Sequence, residues 1–363
     1  MSNPLKLAVV GVGRIGVFHA RHTQELSRER GNCDLVAVVD HYADTARRVA
    51  HQLQQHQASE IRPFETIGDL VDARLADAAV VASRTEDHEA DARALIEAGY
   101  RVMLEKPLTH SVENAVNFVR DLSTDGKSHA LMQAFMRRFD DPLNHTKNLL
   151  EAGRIGNPFK VVSVLEDPIP PPKGYNSPGI LPDMAVHNID EVIWLLGAKP
   201  ERISALGANL HNFRITTVKE DFDDVFFQMW FPNNAIAQVQ VSRNHVAGYR
   251  NETWVYGDNG LIHVGHFQEN PLQVTVEAYN REGTIQKVTF RMRDYGEGVP
   301  VFIERFGPAY KQELSYFVDQ CLNEQPFSVN QEDGLTAMQV ARAGVRSLRT
   351  KENTVAIEYN ENR

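Results

Sequence analysis

Residues 5 to 16 read L-K-L-A-V-V-G-V-G-R-I-G, a short apolar run followed at once by a turn of the G-x-G-x-x-G pattern. The next residues, to about Arg28, are compatible with a helix, so this stretch predicts a strand, a tight turn and a helix. The first glycine permits the bend, the second lets the backbone approach a pyrophosphate, and the third lets the helix lie close to the strand. The helix N-terminus then faces the anion. The predicted dinucleotide contacts of this turn are Gly11, Gly13, Arg14, Ile15 and Gly16.

The second apolar run supplies the acid that such a motif needs. Leu35 to Val39 ends in Asp40, at about the distance from the glycines that one strand-helix-strand unit requires. We expect Asp40 to bind the adenosine ribose hydroxyls, and its charge would repel a 2′-phosphate, so NAD is favoured over NADP. A plain loop cap is the competing interpretation of Asp40. His41 beside it and Arg47 on the next helix leave room for use of both cofactors.

Length and composition limit the possible classes of protein. A chain of 363 residues predicts two domains. No run approaches the ~18–20 apolar residues of a membrane span, and the start lacks the apolar stretch of a signal peptide, so we expect a cytoplasmic protein without membrane contact. The 38 basic and 48 acidic residues give a net charge of −10 without a long basic block, so nucleic acid is not an expected partner. Cys33 and Cys321 lie far apart, which predicts neither a disulfide framework nor a zinc site.

The first part of the chain alternates strands and helices. After the glycine unit, the pattern predicts strands at Asp77 to Ala82 and Arg101 to Leu104, and helices at Asp87 to Ala98 and Ser111 to Leu122. Such alternation implies a parallel sheet covered by helices on both faces. We therefore predict a doubly wound α/β Rossmann domain over residues 1–133.

After about Gln133 the pattern changes to closely spaced strands separated by turn residues such as Asn233-Asn234 and Asn259-Gly260. Helices return at Ala309 to Asn323 and Glu332 to Leu348. This predicts an α+β domain over residues 134–363, with an open, mostly antiparallel sheet that serves as a natural surface for a homo-oligomer. The predicted strands are Phe222 to Phe231, Ala235 to Arg243, Glu252 to Tyr256, Leu261 to Val264, Leu272 to Ala278 and Thr284 to Arg291.

Glu105-Lys106-Pro107 directly follows the strand that ends at Leu104. In doubly wound sheets ligands bind at the carboxyl ends of the strands, so Lys106 is expected where the nicotinamide lies. An exposed lysine before a turn proline is the alternative interpretation.

Asp183 and His187, in P-D-M-A-V-H at 182–187, are spaced by one helical turn and therefore share a helix face. This spacing is compatible with catalysis, with an N-cap at Asp183 and a buried histidine, or with a metal. The following Asp190 and Glu191 rotate off that face, and no second histidine stands at helical spacing, so we predict no metal site.

The motifs G-V-G-R-I-G, E-K-P and D-M-A-V-H, in this order and followed by a sheet domain, resemble the glucose-fructose oxidoreductase, inositol dehydrogenase and MocA family over nearly the whole chain. Within that family the inositol 2-dehydrogenases are the nearest resemblance. The motifs similar to theirs are M-R-R-F-D at 136–140, D-P at 167–168, P-P-P at 170–172, E-R-F at 304–306, A-Y at 309–310, E-L at 313–314 and E-D-G at 332–334.

Three departures from the family pattern leave the exact polyol open. Glu166 stands where the family often has Arg, reversing the charge in a loop expected near the substrate. Ser177-Pro178-Gly179 replaces S-G-G before the catalytic helix. The segment S-R-T-E-D-H at 83–88 replaces T-P-N-x-x-H after the fourth strand.

The resemblance implies NAD-dependent oxidation of a secondary hydroxyl of a cyclitol or sugar. It implies that His187 is the base, since imidazole has a suitable pKa. It further implies that Lys106 donates a hydrogen bond to the reacting oxygen, and that Asp183 accepts one from a neighbouring hydroxyl and favours the protonated form of His187. The polyol is expected to be bound by Arg137 and Asp167, with Asn188 and Tyr310 as further candidates. Ser83, His88 and Glu105 are expected beside the cofactor.

The resemblance leaves other activities open. Relatives in the family include sugar-acid reductases, glycosidases that oxidise transiently and then eliminate, and cofactor-binding regulators without turnover. The base and the lysine argue against a regulator, because a sensor needs no proton acceptor. A homo-oligomer, either a dimer or a tetramer, is expected.

Overall fold

A computed structural model of the chain describes residues 3–168, 178–209, 221–243, 245, 247–265, 272–296, 298–350 and 354–359. Pro170 to Pro172, part of the family resemblance, and Ser177, part of one departure from it, lie outside these ranges. The described residues within Met1–Met136 and Tyr310–Leu335 form one compact unit, and those within Arg137–Ala309 and Thr336–Glu361 form a second. The division into domains 1–133 and 134–363 stays a prediction.

In the described part of the first unit, six strands form a parallel sheet with five helices packed on it. The strands are β1 (Leu5–Val10), β2 (Cys33–Val39), β3 (Arg62–Phe64), β4 (Ala78–Val81), β5 (Arg101–Leu104) and β6 (Leu131–Gln133). The helices are α1 (Gly16–Arg30), α2 (Ala43–Gln54), α3 (Ile67–Ala73), α4 (His88–Glu97) and α5 (Val112–Thr124).

The strand order is β3-β2-β1-β4-β5-β6, which confirms the predicted Rossmann sheet. The order reverses between β1 and β4, and in open α/β sheets ligands bind at such a switch point, beyond the carboxyl ends of the strands. The central strands read as continuous apolar runs because both faces are buried, and Leu7, Ala8 and Val9 of β1 are fully inaccessible.

The second unit contains a nine-stranded sheet in its described residues. Its strands are β7 (Pro158–Glu166), β8 (Arg202–Ala208), β9 (Asp224–Trp230), β10 (Ile236–Ser242), β11 (Arg250–Gly257), β12 (Gly260–Val264), β13 (Gln273–Asn280), β14 (Gly283–Arg291) and β15 (Val355–Ala356). The order is β14-β13-β12-β11-β7-β10-β9-β8-β15, and only β7 and β10 pair in parallel. The predicted mostly antiparallel sheet is therefore confirmed.

Two helices, α6 (Asp141–Glu151) and α7 (Val186–Leu196), contact one face of this sheet. Side chains alternate between the faces along each strand. On the face opposite α7, Leu206 of β8 pairs with Phe226 of β9, and Ile236 of β10 pairs with Trp230. Leu206, Phe226 and Ile236 are 75%, 49% and 43% exposed, so this face of the sheet is open.

The remaining helices are α8 (Val301–Leu322) and α9 (Gln331–Thr350). Helix α7 is preceded by a π-helical turn over Leu181–Ala185 and ends at Gly197, whose φ of 66° suits glycine. Among the described residues, no helix combines the length and the apolar character that a membrane crossing requires.

Candidate active site

The glycine turn of the first unit admits only glycine at two of its positions. Gly11 has a φ of 77°, and a Cβ there would lie 2.4 Å from the Cα of Ser83. A Cβ on Gly16 would lie 1.8 Å from the carbonyl oxygen of Gly11, whereas a Cβ on Gly13 would meet nothing within 4 Å. Helix α1 starts without a side-chain cap at Ile15, and the amides of Val17 and Phe18 donate to the oxygens of Gly13 and Ile15, while the positive end of the helix faces the turn. The turn therefore fits the pyrophosphate of a dinucleotide.

Asp40 lies at the end of β2, beside this turn. Its Oδ2 accepts a hydrogen bond from the Val12 amide at 3.1 Å, and its Oδ1 accepts one from the Tyr42 amide at 3.0 Å. The hydrogen bond from the Tyr42 amide is that of a loop cap, so Asp40 also has the capping role that was the competing interpretation. Each carboxylate oxygen has a further lone pair, so the two contacts leave capacity for ribose hydroxyls. Arg47 pairs instead with Asp44 at 2.7 Å on the surface of α2.

Lys106 is held at the end of β5 by its neighbours. Glu105 is 7% exposed, and its Oε1 lies 2.8 Å from Nε2 of the buried His19. Its Oε2 accepts a hydrogen bond from the Lys106 amide at 3.2 Å. Lys106 itself is only partly buried, so part of this residue is accessible while its backbone is fixed. Tyr310, a further polyol candidate, lies edge-on to His19 with ring centroids 5.7 Å apart.

The segment after β4 brings Ser83 and His88 next to the glycine turn and the Lys106 loop. Ser83 Oγ donates to Asp91 Oδ2 at 2.6 Å. His88 is 2% exposed, and its ring nitrogens lie 2.7 Å from the Pro107 carbonyl oxygen and 3.2 Å from that of Ser83. The expected cofactor contacts of these two residues stay predictions.

In the second unit, Asp183 lies in the π-helical turn, and its amide donates to the Gly179 oxygen at 3.0 Å. The cap interpretation of Asp183 is wrong, because the helical segment starts two residues earlier and its N-cap is Ile180. The Asp183 carboxylate instead accepts a hydrogen bond from Arg243 Nη2 at 3.2 Å. His187 is half-buried on the first turn of α7. Arg243, whose side chain is 4% exposed, was not expected from the sequence, although a charge directly after the apolar strand β10 was a signal.

Arg137, expected to bind the polyol, is 1% exposed and forms an ion pair with Glu191 of α7 at 2.6 Å. Glu191 also accepts hydrogen bonds from Ser163 Oγ at 3.1 Å and Thr253 Oγ1 at 2.5 Å. Asn188 donates to the same Ser163 hydroxyl at 2.8 Å. This face of α7 is therefore occupied by a buried polar network.

A second ion pair lies next to that of Arg137 and Glu191. Arg138 makes two hydrogen bonds to Asp190, at 3.0 and 2.6 Å. With Asp190 and Glu191 both bound to arginines, neither is arranged as a metal ligand beside His187. Within the described ranges, no group of three or more His, Cys, Asp or Glu side chains is placed to hold a metal ion.

The two cysteines, Cys33 and Cys321, are free, and burial raises the pKa of each thiol to about 12.

Asp167 directly follows β7, where its amide donates to the Ser242 oxygen at 2.9 Å and its carbonyl oxygen accepts from the His245 amide at 3.1 Å. Tyr249, which the sequence did not indicate, is 7% exposed, and burial raises the pKa of its phenol. The charges that act on Tyr249 are those of Arg137, Arg305, Asp167 and Asp140. Arg305 and Asp140 form a buried two-fold hydrogen-bonded pair at 2.7 and 2.9 Å.

Glu166 was expected in a loop, and this expectation is wrong because Glu166 is the last residue of β7. It is 4% exposed, and its carboxylate lies 3.3 Å from Arg250 Nη1 and 3.3 Å from His245 Nε2. Gln240 also donates to it. Its negative charge is therefore compensated inside the second unit.

Comparison with known proteins agrees with both units. Residues 5–131 match the model described as "Oxidoreductase family, NAD-binding Rossmann fold", and residues 143–263 match the GFO/IDH/MocA C-terminal domain. The chain is 28% identical over 350 residues to myo-inositol 2-dehydrogenase of Thermotoga maritima, covering 96% of this chain and 97% of that protein. It is 27% identical to scyllo-inositol 2-dehydrogenase (NAD(+)) of Bacillus subtilis, covering 96% and 95%.

A solved structure is also similar. The scyllo-inositol dehydrogenase of Lactobacillus casei, with bound NAD(H) and scyllo-inositol, superposes with a TM-score of 0.78 at 25% identity, covering 98% of this chain and 99% of that chain.

Proposed function

Because this chain belongs to the Gfo/Idh/MocA family of oxidoreductases, we propose that it oxidises a secondary hydroxyl of a cyclitol, as an inositol 2-dehydrogenase does, with His187 as the base. It is an NAD-dependent dehydrogenase that acts on CH–OH groups. The observation that carries the proposal is Lys106, whose backbone is fixed by buried contacts at the carboxyl end of β5 while its side chain stays partly accessible.

The cofactor site follows from the first unit. Gly11, Gly13 and Gly16 provide the close approach for the pyrophosphate, together with Arg14 and Ile15 of the same turn. Asp40 provides acceptors for the ribose, and its charge disfavours NADP. Ser83 and Glu105 complete the cofactor side, and His88, whose ring nitrogens lie against the carbonyl oxygens of Pro107 and Ser83, supports it through the backbone. When bound, NAD⁺ supplies the acceptor for the hydride.

His187 removes the proton of the substrate hydroxyl. A neutral imidazole at neutral pH has the capacity to accept that proton. Asp183 accepts a hydrogen bond from a neighbouring hydroxyl and favours protonation of His187. The ion pair of Asp183 with Arg243 at 3.2 Å weakens this electrostatic influence, so Asp183 acts mainly by positioning the substrate.

Lys106 donates a hydrogen bond to the reacting oxygen and stabilises its developing negative charge. A fixed donor needs no reorganisation during the reaction, and the contacts of Glu105 supply that fixation. Asp167 and Arg137 are proposed to bind further hydroxyls. The buried ion pair of Arg137 with Glu191 supports a second role, the positioning of α7.

The relatives support a cyclitol substrate, because two proteins that match over 96% of this chain are named myo-inositol and scyllo-inositol 2-dehydrogenases. We propose a homo-oligomer, a dimer or a tetramer, formed through the open face of the nine-stranded sheet, where Leu206, Phe226 and Ile236 are exposed. A cytoplasmic location agrees with the use of NAD.

The test is the rate of NADH formation from a panel of inositol isomers and hexoses, with NAD and NADP in parallel. At least one cyclitol should give net NADH, faster with NAD than with NADP. Product without net NADH would indicate a glycosidase of the same family. Binding of NADH without any turnover would indicate a regulator and would overturn the proposal.

Substitutions test the assigned roles. Lys106→Ala and His187→Ala should each lower kcat by about 10²-fold or more while the Kd of NADH, measured by fluorescence, stays within about 2-fold. The controls are Lys199→Ala and His51→Ala, at two exposed positions, and both should leave kcat and the Kd of NADH unchanged. Loss of NADH binding in both active-site variants would mean that Lys106 and His187 serve the cofactor alone.

A further inference from the structure

Buried imidazoles contact the residues on both sides of Lys106. On the N-terminal side, Nε2 of His19 lies 2.8 Å from Glu105, whose other carboxylate oxygen accepts from the Lys106 amide at 3.2 Å. On the C-terminal side, Nδ1 of His88 lies 2.7 Å from the carbonyl oxygen of Pro107. Glu105, Pro107 and both imidazoles are buried, so Lys106 is the accessible residue of a fixed segment.

The chemistry of the His88 contacts decides which nitrogen donates. Both ring nitrogens face backbone carbonyl oxygens, which only accept hydrogen bonds. Burial lowers the pKa of His88 and therefore favours the neutral ring, which has a single N–H. The Pro107 oxygen at 2.7 Å is closer than the Ser83 oxygen at 3.2 Å, so the proton belongs on Nδ1. His88 thus donates to Pro107.

We propose that His88 is a positioning residue that fixes Lys106 through the Pro107 carbonyl. The inference rests on the proposed function, because it needs Lys106 as the donor to the reacting oxygen. A hydrogen-bond donor must be held close to its productive position to act in the transition state, and a displacement of about 1 Å can cost 10²-fold in rate. Without the His88 donor, the segment loses its hydrogen bond to Pro107 on the C-terminal side of Lys106, while the Glu105 contact on the N-terminal side remains.

Two amide substitutions separate the contacts of His88. In His88→Asn the side-chain nitrogen reaches the place of Nδ1 and can donate to Pro107. In His88→Gln it reaches the place of Nε2 and can donate only to Ser83. We expect His88→Asn to keep kcat within about 3-fold and His88→Gln to lower it by about 10- to 100-fold. The matched controls are His110→Asn and His110→Gln, because His110 is exposed and lies in the loop that carries Lys106.

Four further measurements distinguish positioning from stability. The Kd of NADH and the KM of the cyclitol should stay within about 2-fold in the folded variants, because the loss lies in the transition state. Thermal unfolding shows whether each variant is folded at the assay temperature. NMR of ring-labelled histidine in the wild-type protein should identify the Nδ1–H tautomer for His88.

Equal kcat values for the Asn and Gln variants, both folded, would overturn the inference. So would an Nε2–H tautomer. Lys106→Ala in the same series separates this failure from failure of the proposed function. If Lys106→Ala keeps its turnover, the role of Lys106 is wrong. If it loses turnover while His88→Gln does not, only the role of His88 is wrong.

Discussion

Glu252 is a buried residue whose carboxyl group stays ionised in the folded protein. It is 5% exposed in β11, and burial alone would raise the pKa of its carboxyl group. The ring of His263, whose Nε2 lies 3.6 Å from Glu252, the hydrogen bonds from Arg250 and Trp254, and the charge of Arg250 instead lower that pKa to about 2. The ionised form is therefore favoured in the folded protein.

This pKa predicts an acid-dependent contribution to stability. Because the folded value of about 2 lies below the ordinary value of 4.5, the unfolded chain binds the proton more readily. The contribution of Glu252 is complete above about pH 4.5 and is lost as the pH falls towards 2, with a size of about 3 kcal/mol. Urea unfolding at a series of pH values should show that Glu252→Gln is less stable at pH 7 and that the difference shrinks below pH 4.5. A difference independent of pH would contradict the assignment.

The sequence could predict residues whose role is local, and much less those whose role depends on distant partners. The spacing of Gly11, Gly16 and Asp40 follows from one strand-helix-strand unit, and the structure places them together as that unit requires. The partner of Asp183 could not be found in this way. Arg243 stands 60 positions later and reaches Asp183 only because β10 ends beside the π-helical turn. His88 and Pro107 likewise meet through the sheet.

At the scale of elements, α7 is held by the short segment that carries Arg137 and Arg138. These neighbours pair with the neighbours Glu191 and Asp190 of α7, at 2.6 Å in each case. The side chains of Arg137 and Glu191 are 2% and 0% exposed, so each charge depends on the other. The same helix carries His187, and its orientation is therefore coupled to this ion pair.

Removal of one partner should destabilise the protein more than neutralisation of both. We expect Arg137→Met to cost about 3–5 kcal/mol, because it leaves the Glu191 carboxylate buried without a cation. Adding Glu191→Gln should recover part of this loss, since the amide oxygen can still accept from Ser163 and Thr253. The measurement is the free energy of unfolding in urea for the two single variants and the double variant.

The matched control for this cycle is an ion pair of similar length on the surface. Arg47 and Asp44 lie 2.7 Å apart with side chains 64% and 97% exposed. Arg47→Met should change the free energy of unfolding by less than ~1 kcal/mol. Additive effects of Arg137→Met and Glu191→Gln would mean that the two side chains are not coupled.

Element boundaries were predictable where the pattern was local. The bounds of β1 and β5 agree with the sequence prediction, because a buried apolar run between turn residues defines both ends. Strand β7 was not predicted from the sequence. It lies between β10 and β11, and its pairing partners on these strands follow about 75 or more positions later in the chain. Helix α8 begins at Val301 instead of Ala309, because Pro308 lies inside it and does not end it.

At the scale of the whole molecule, the open face of the nine-stranded sheet is the main apolar surface left by the fold of the described residues. Leu206 and Phe226 are direct cross-strand neighbours, and Ile236 and Trp230 form the next such pair on the same face. Lys160, also on this face, lies over the ring of Tyr256 at 3.8 Å. A surface that mixes exposed aliphatic and aromatic side chains is typical of an interface between subunits.

The double variant Leu206→Asp with Phe226→Asp tests this surface, because it places two like charges side by side within the proposed interface. We expect a smaller molecular mass by sedimentation velocity than for the wild type, with the Kd of NADH within about 2-fold since the cofactor residues lie in the other unit. Phe159→Asp is the matched control. Phe159 is 47% exposed in β7, but it points to the opposite face from Lys160 because neighbouring side chains alternate. A monomeric wild type, or an unchanged mass in the double variant, would exclude this face as the interface.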